Sequence, residues 1–326
     1  MAHPFQENSL FALVAVSDAH TNLPDRQFQL SDGTWILPRV PVADQHGIWK
    51  EWLGSIRLTH LTEANLVLLV EKPSDTPHFF GDEHLRLSNH LGRLLYLLHL
   101  GFGLDVSEDP ADRLTGFSMN GVADIKSVEP MPRFYRTQGS PSIPITQDWL
   151  EDTLVLRTGY AEMESDKTQF RRIIRGLDTL FKGKKEESGQ DRLHQFVRSL
   201  EALILPEQGK TKKQFVCRCQ TFAEAGDDAH ALFSEAFDLR SATEHLNRWD
   251  KAVMSYGRGE REAICLQRTL QMERLAGDAY SRLLGKPALR DHFRTDDAIA
   301  EFWKLPNSQR CELWGTRLDL TTAEQS

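Results

Sequence analysis

Apolar residues recur with different periods in the two halves of the chain. Up to about residue 150, short apolar runs alternate with turn formers: Phe11–Val16, Thr34–Leu37 and Leu66–Val70, flanked by Asp32-Gly33, Pro38 and Pro73, read as strands. Leu87, Leu91, Leu94, Leu95 and Leu98 instead repeat at three- and four-residue steps, which predicts a helix over 85–100 ending at Gly101. Pro130, Pro132, Gly139, Pro141 and Pro144 follow with no sustained period, the composition of a connection.

Beyond residue 150 the helical period dominates. Phe170, Ile173, Ile174, Leu177, Leu180 and Phe181 form one stripe, followed by a lysine- and glycine-rich loop over 182–189. A second stripe runs through Leu193, Phe196, Val197, Leu200, Leu203 and Ile204 and stops at Pro206. Phe215, Cys219, Phe222 and Ala223 predict a third helix ending at Gly226, and Leu232, Phe233, Ala236 and Phe237 a fourth. Leu266, Leu270, Ala276, Ala279 and Leu283 mark a long helix ending near Gly285-Lys286-Pro287, and Phe302, Trp303, Leu313 and Trp314 give the tail enough apolar surface to dock. Amphipathic helices on short connections favour an antiparallel bundle. The fold class is therefore α+β: a mixed α/β domain over 1–150, then an all-α helical bundle with a C-terminal extension over 151–326.

Composition narrows the function. A net charge of −8 argues against a protein that coats nucleic acid non-specifically, because such binding needs many phosphates neutralised by Lys and Arg. The four cysteines lack the spacing of a disulfide framework, and Cys217 and Cys219, two apart in a helical pattern, point to different faces rather than forming a metal clip. His84, His90 and His99 do not have the spacing of a chelating face, and Gly209-Lys210-Thr211 lacks the earlier glycine and the preceding strand of a phosphate-binding loop. Neither metal nor cofactor is expected. The N-terminus lacks signal-peptide character and no segment reaches the roughly 20 apolar residues of a membrane span, so the cytoplasm is the expected compartment and a membrane is not an expected partner.

One position breaks the helical pattern. Extending the stripe of Leu232, Phe233, Ala236 and Phe237 by one step places Arg240 among apolar positions, where a guanidinium needs an anion, a carbonyl or a wet cleft. His245 lies five residues on, about 140° away in an unbroken helix, so the two converge only if the helix ends between them or a second protomer contributes its own pair. Ser241 and Thr243 can bond backbone groups and favour such a break. A helix-end ion-pair network of Arg240 with Glu235 or Asp238, with His245 merely on the surface, is the competing reading.

The run from Leu232 to His245, with Arg240-Ser241 and four residues between Arg and His, resembles the signature of the HEPN superfamily. Upstream, the segment from Arg192 to Leu203 resembles the helix ending in Leu-Glu-Ala-Leu of its ApeA-like branch, so the likeness spans about 165–290. The resemblance implies metal-independent RNA cleavage at the interface of a homodimer or higher homo-oligomer. His245 would be the acid/base group and Arg240 the phosphate holder, with Ser241 and Glu244 in support. Histidine, with an ordinary pKa of about 6.5, exchanges protons at neutral pH without a metal. Two residues depart from the pattern: Glu244 stands where the family has an apolar residue, and Leu246 where glycine is common. A non-catalytic module binding RNA, a nucleotide or a protein is the alternative.

Lys182, Lys184 and Lys185, and Lys210, Lys212 and Lys213, sit in two loops flanking one helix and offer a joint positive patch to RNA. Trp249 either stacks on a base or packs beneath the helix end.

Overall fold

The computed structural model describes residues 5–40, 46–76, 82–101, 104, 112–224, 226 and 228–321. The chain divides into two compact units, one of residues 1–99, 104–133 and 142–154, the other of residues 100–103, 134–141 and 155–326. Helices and strands together make the fold α+β.

The first unit is organised by β1 (Ser9–Val16), whose eight residues are all buried. Successive side chains on a strand point to opposite faces, so a strand buried throughout requires cover on both sides of its sheet. The sheet also contains β2 (Phe28–Gln29), β3 (Trp35–Leu37), β4 (Leu66–Pro73), β5 (Asp112–Met119) and β6 (Val122–Pro130), in the order β2-β3-β4-β1-β5-β6 and antiparallel throughout. On one face, Phe11, Leu13 and Ala15 meet Trp49, Leu53, Leu58 and Leu61 of α1 (His46–Glu63), a helix kinked at Gly54. The Trp49 indole donates to the Ala123 carbonyl at 2.7 Å, which ties α1 to β6. On the other face, Ala12, Val14 and Val16 meet Leu91, Leu94, Leu95 and Leu98 of α2 (Glu83–Leu98), together with Leu150 and Leu154 from the start of α3 (Gln147–Ser165).

The strands read from the apolar runs and the helix over 85–100 are present. The β5–β6 hairpin and α1 are additions. Asn120 and Gly121 both adopt positive φ, 56° and 73°, as the two-residue turn between Met119 and Val122 requires.

The second unit is helical: α4 (Arg171–Lys185), α5 (Gly189–Ile204), α6 (Thr211–Cys219), α7 (Ala229–Glu244), α8 (Arg261–Gly285), α9 (Pro287–Asp291), α10 (Asp296–Lys304) and α11 (Asn307–Trp314). The predicted apolar stripes lie mostly on the buried faces of helices, Phe222 and Ala223 falling outside α6 and Ile174 and Leu266 only half-buried, and α5 packs against α4, α6, α7 and α8. Two local expectations are corrected. The helix of α4 runs on through Lys182–Lys185, with no loop until Glu186, and α6 stops at Cys219, after which β7 (Ala223–Glu224) pairs in parallel with β8 (Leu318–Asp319). In the tail, Phe302, Trp303 and Trp314 are buried while Leu313 is exposed; the Trp303 indole donates to the Leu203 carbonyl at 3.0 Å, and Trp314 packs on Phe222 with ring centroids 4.3 Å apart.

At the centre of this unit lies a buried charge cluster. Glu273 of α8 accepts from Lys184 Nζ of α4 at 2.9 Å and from Arg192 Nη2 of α5 at 3.2 Å. The Thr137 hydroxyl, from the proline-rich stretch, donates to Glu273 and accepts from Arg192 Nε and Nη2 at 3.1 and 2.8 Å. Burial alone would raise the Glu273 carboxyl, but Lys184, Arg192 and Thr137 together outweigh it and hold the pKa below its ordinary value.

Two cations share one carboxylate, so the three positions respond unequally to neutralisation. Glu273→Gln leaves two buried cations without an anion and is expected to destabilise the chain by about 3–5 kcal/mol, whereas Lys184→Met, which leaves the Arg192–Glu273 pair, costs much less. Urea unfolding of the two variants checks the order. Because the folded pKa is depressed, the contribution of Glu273 is complete above about pH 4.3, the unfolded value, and is lost as pH falls through the folded one. The gap between wild type and Glu273→Gln should therefore shrink in acid.

Candidate functional site

The stripe Leu232, Phe233, Ala236, Phe237 holds α7 against the bundle, and Arg240, next along the same face, is largely buried. Its guanidinium lies 5.6 Å from the centroid of the Phe237 ring. Nη2 reaches Glu201 of α5 at 3.3 Å and Nη1 bonds Glu244 one turn on; Nε is buried without a partner. The anion that the pattern demanded for Arg240 is thus supplied by the Leu-Glu-Ala-Leu segment. Glu235 and Asp238, the alternative partners, are engaged elsewhere: Glu235 with Arg268 at 2.8 Å and the Tyr256 hydroxyl at 2.9 Å, Asp238 with Lys212 at 2.7 Å.

The helix does not break between Arg240 and His245: α7 runs unbroken through Glu244 and is capped at His245. Within one chain the two side chains therefore stay on different sides of the helix, and the chain reverses only after the histidine. The Asn247 amide donates to the Ala242 carbonyl at 2.8 Å and the Leu246 amide to Thr243 at 3.1 Å, the pair of reversed bonds of a Schellman end, with His245 as the last residue before the turn. That motif needs a left-handed residue after the cap, and Leu246 occupies it at φ 54°. A residue with a Cβ at this position therefore carries a backbone cost. The Leu246 side chain is 95% exposed and gains no packing in return.

His245 is exposed, and its imidazole makes no hydrogen bond or ion pair among the described residues. It does not touch Arg240 within the chain. Ser241 accepts the His245 amide through its carbonyl at 3.1 Å, and Glu244 is exposed and bound to Arg240. Trp249, half-buried, donates to the Thr243 hydroxyl at 2.7 Å and so braces the end of α7, while also lining a cleft of about 600 Å³ with Gln138, Gln190, Arg258 and Arg261.

The joint lysine patch is not formed. Lys184 is buried on Glu273, and Lys185 lies 5.8 Å from the Phe134 ring centroid, leaving Lys182 exposed in that group. Lys210 is paired with Glu207 and Lys212 with Asp238, each at 2.7 Å, while Lys213 is exposed. The physical reason is simple: loops flanking a helix sit at its two ends, and the 16 residues of α5 separate them by about 24 Å.

Three further residues, which the apolar pattern does not single out, stand in the electrostatic surroundings of Arg240. His194, Arg198 and Glu201 lie at i, i+4 and i+7 on α5, along one face. His194 Nε2 is buried and unpartnered; burial, then the positive charges of Arg240 and Arg198, lower its pKa and favour the neutral ring. Glu201 is raised by burial, against the pull of Arg240 and Arg198, and its Oε1 has no partner. The signal was present as polar residues recurring at helical spacing beside the apolar stripe.

No known protein family, curated protein or solved structure matches the chain.

Relieving the left-handed leucine tests the description of the helix end. Leu246→Gly should stabilise the protein by about 1 kcal/mol in thermal or urea unfolding, the cost of αL backbone for a residue with a Cβ. A clearly destabilising result, beyond the roughly 0.5–1 kcal/mol that glycine's extra unfolded-state freedom costs, would mean that Leu246 has contacts this geometry lacks.

Proposed function

We propose that the chain is a metal-independent endoribonuclease of the HEPN type. The observation that carries this reading is the helix end: α7 stops one residue before an exposed, unpartnered His245 and one turn beyond the largely buried guanidinium of Arg240. Arg240 would hold the scissile phosphate through its paired Nη donors. His245 would take the 2′-hydroxyl proton; the 2′-oxygen then attacks phosphorus, closing a 2′,3′-cyclic phosphate, and the departing 5′-oxygen receives a proton from the His245 of a second copy. Arg240 and His245 do not touch within one chain, so a homodimer that brings both pairs to one cleft is part of the reading. Leu246, apolar and exposed beside His245, is surface that a second copy would cover. A cytoplasmic defence or toxin-like effector in a bacterium, with the N-terminal unit sensing or restraining the nuclease, is the role the resemblance suggests.

Two carboxylates on one guanidinium favour a second reading, a non-catalytic module that binds RNA, a nucleotide or a protein. Incubation of a mixed-sequence RNA with the purified protein in EDTA separates the two. Arg240→Ala and His245→Ala should each slow cleavage by about 100-fold or more, the usual loss of a charge stabiliser or a general acid/base. Equal cleavage by all three proteins would sink the nuclease reading, and retention of RNA without cleavage would favour the binding module.

Glu244 is the more exposed of the two carboxylates and competes with phosphate for Arg240. Glu244→Gln should raise RNA affinity roughly fivefold, equivalent to the ~1 kcal/mol of a partly exposed ion pair. Fluorescence anisotropy with a labelled strand measures this, and weaker binding would assign Glu244 a supporting role.

A further inference from the structure

α4 and α5 approach closely where Gly176 meets Ala202: a Cβ on Gly176 would lie 2.6 Å from the Ala202 Cβ and 1.9 Å from the Tyr280 hydroxyl. These two small residues line an open pocket of about 300 Å³ whose walls are Arg171, Arg172, Arg175 and Arg198, with Glu201 on one side. Four guanidiniums around one pocket repel one another unless anions intervene.

The anions present do not suffice. Arg172 is held by Asp296, through Nε at 2.7 Å and Nη2 at 2.9 Å, and Glu201 is committed to Arg240. Arg171, Arg175 and Arg198 are exposed and make no ion pair or side-chain hydrogen bond among the described residues. Three of the four guanidiniums therefore have no direct ion pair, although Asp296 lies within electrostatic range of Arg171 and Glu201 within range of Arg198, in a chain of net charge −8. Two of the four arginines stand in the first turn of α4, which holds no acidic residue, so they oppose the helix dipole that favours negative charge there. The pocket lining contains no aromatic side chain on which a base could stack, so its chemistry selects phosphate over nucleobase.

We propose that this pocket binds closely spaced phosphate groups, either of a free polyphosphate or of successive phosphodiesters in an RNA strand. Arg171 and Arg175 project from α4 and Arg198 from α5, so the donors stand on two packed helices and can grip phosphate oxygens in pairs. The pocket is open, which admits a chain as well as a small anion. Because Glu201 belongs both to the pocket wall and to the Arg240 ion pair, a strand whose scissile phosphate lies at Arg240 would pass its neighbouring phosphates into the arginines. The pocket does not require the nuclease reading to be correct.

The test uses the full chain carrying His245→Ala, in EDTA, with two probes: sodium tripolyphosphate by titration calorimetry, and a 5′-fluorescein single-stranded RNA of mixed sequence by anisotropy. The same protein with Arg171→Gln, Arg175→Gln and Arg198→Gln is compared, its fold checked by circular dichroism and thermal unfolding, alongside a triple lysine version that keeps the charge. Loss of at least tenfold in RNA affinity, with the slope of log K against log salt falling in magnitude by about 2, assigns the pocket to strand phosphates. A comparable loss for tripolyphosphate assigns it to a free polyphosphate. The lysine version should keep most of the salt slope in either case. Unchanged binding of both probes by a folded glutamine variant, or binding of neither by the parent, overturns the proposal. Failure of the nuclease reading shows up separately, as RNA cleavage that Arg240→Ala and His245→Ala leave intact.

Discussion

One buried carboxylate joins three helices of the helical unit to the proline-rich stretch. Glu273 sits where α4, α5 and α8 meet the proline-rich stretch, and no apolar side chain could bind Lys184, Arg192 and Thr137 together. Buried charges are costly unless paired and hydrogen-bonded, and this cluster meets that condition through directed bonds rather than bulk packing. Directed bonds set rotation. With Arg192 turned toward Glu273, a helix of about 100° per residue carries Glu201, nine residues on, about 180° to the other side, and His194 and Arg198 within about 60° of Glu201. The buried cluster on one face of α5 therefore decides which polar residues reach Arg240 on the other.

The same constraint explains what the sequence made legible. Apolar stripes and their stops depend on neighbours three and four residues apart, and so the helices from Phe170 to Leu283 could be read locally. Arg240 was legible as a violation of its own stripe. Its partner was not, because Glu201 lies thirty-nine residues upstream and is brought near by the packing of α5 on α7. Thr137 was hidden for a similar reason: a stretch with no period carries no sign that one hydroxyl within it closes a buried network. The hairpin of β5 and β6 did announce its turn in Asn120-Gly121, but the strands on either side are too polar to signal without it. The two lysine groups illustrate the opposite error, since closeness to one helix in sequence placed them at its opposite ends in space.

The geometry of the α7 end favours glycine at the position of Leu246, and the physical reason is the left-handed backbone there. A helix that must stop just after its histidine can reverse through a left-handed residue, and the reversing bonds from Leu246 and Asn247 are present here without glycine. The geometry of the helix end is thus met without the residue best suited to it. A strained, exposed leucine beside a free imidazole has an obvious use only if something apolar covers it.

Charge balance around Arg240 sets how the site could act. One guanidinium faces two carboxylates, so the local sum is negative, and a phosphate arriving there meets repulsion from Glu244 before attraction from Arg240. Glu201 is the less exposed of the two, and desolvation already disfavours its charged form, so it is the carboxylate that would most readily accept a proton as an anion approaches. Glu244, nearer to water, can instead swing away at little cost. The surplus of positive charge that could draw an anion to this place is found not at Arg240 but next door, on Arg171, Arg175 and Arg198. Attraction and chemistry would then be divided between neighbouring sites, with the arginine pocket gathering phosphate and Arg240, freed from Glu244, receiving it.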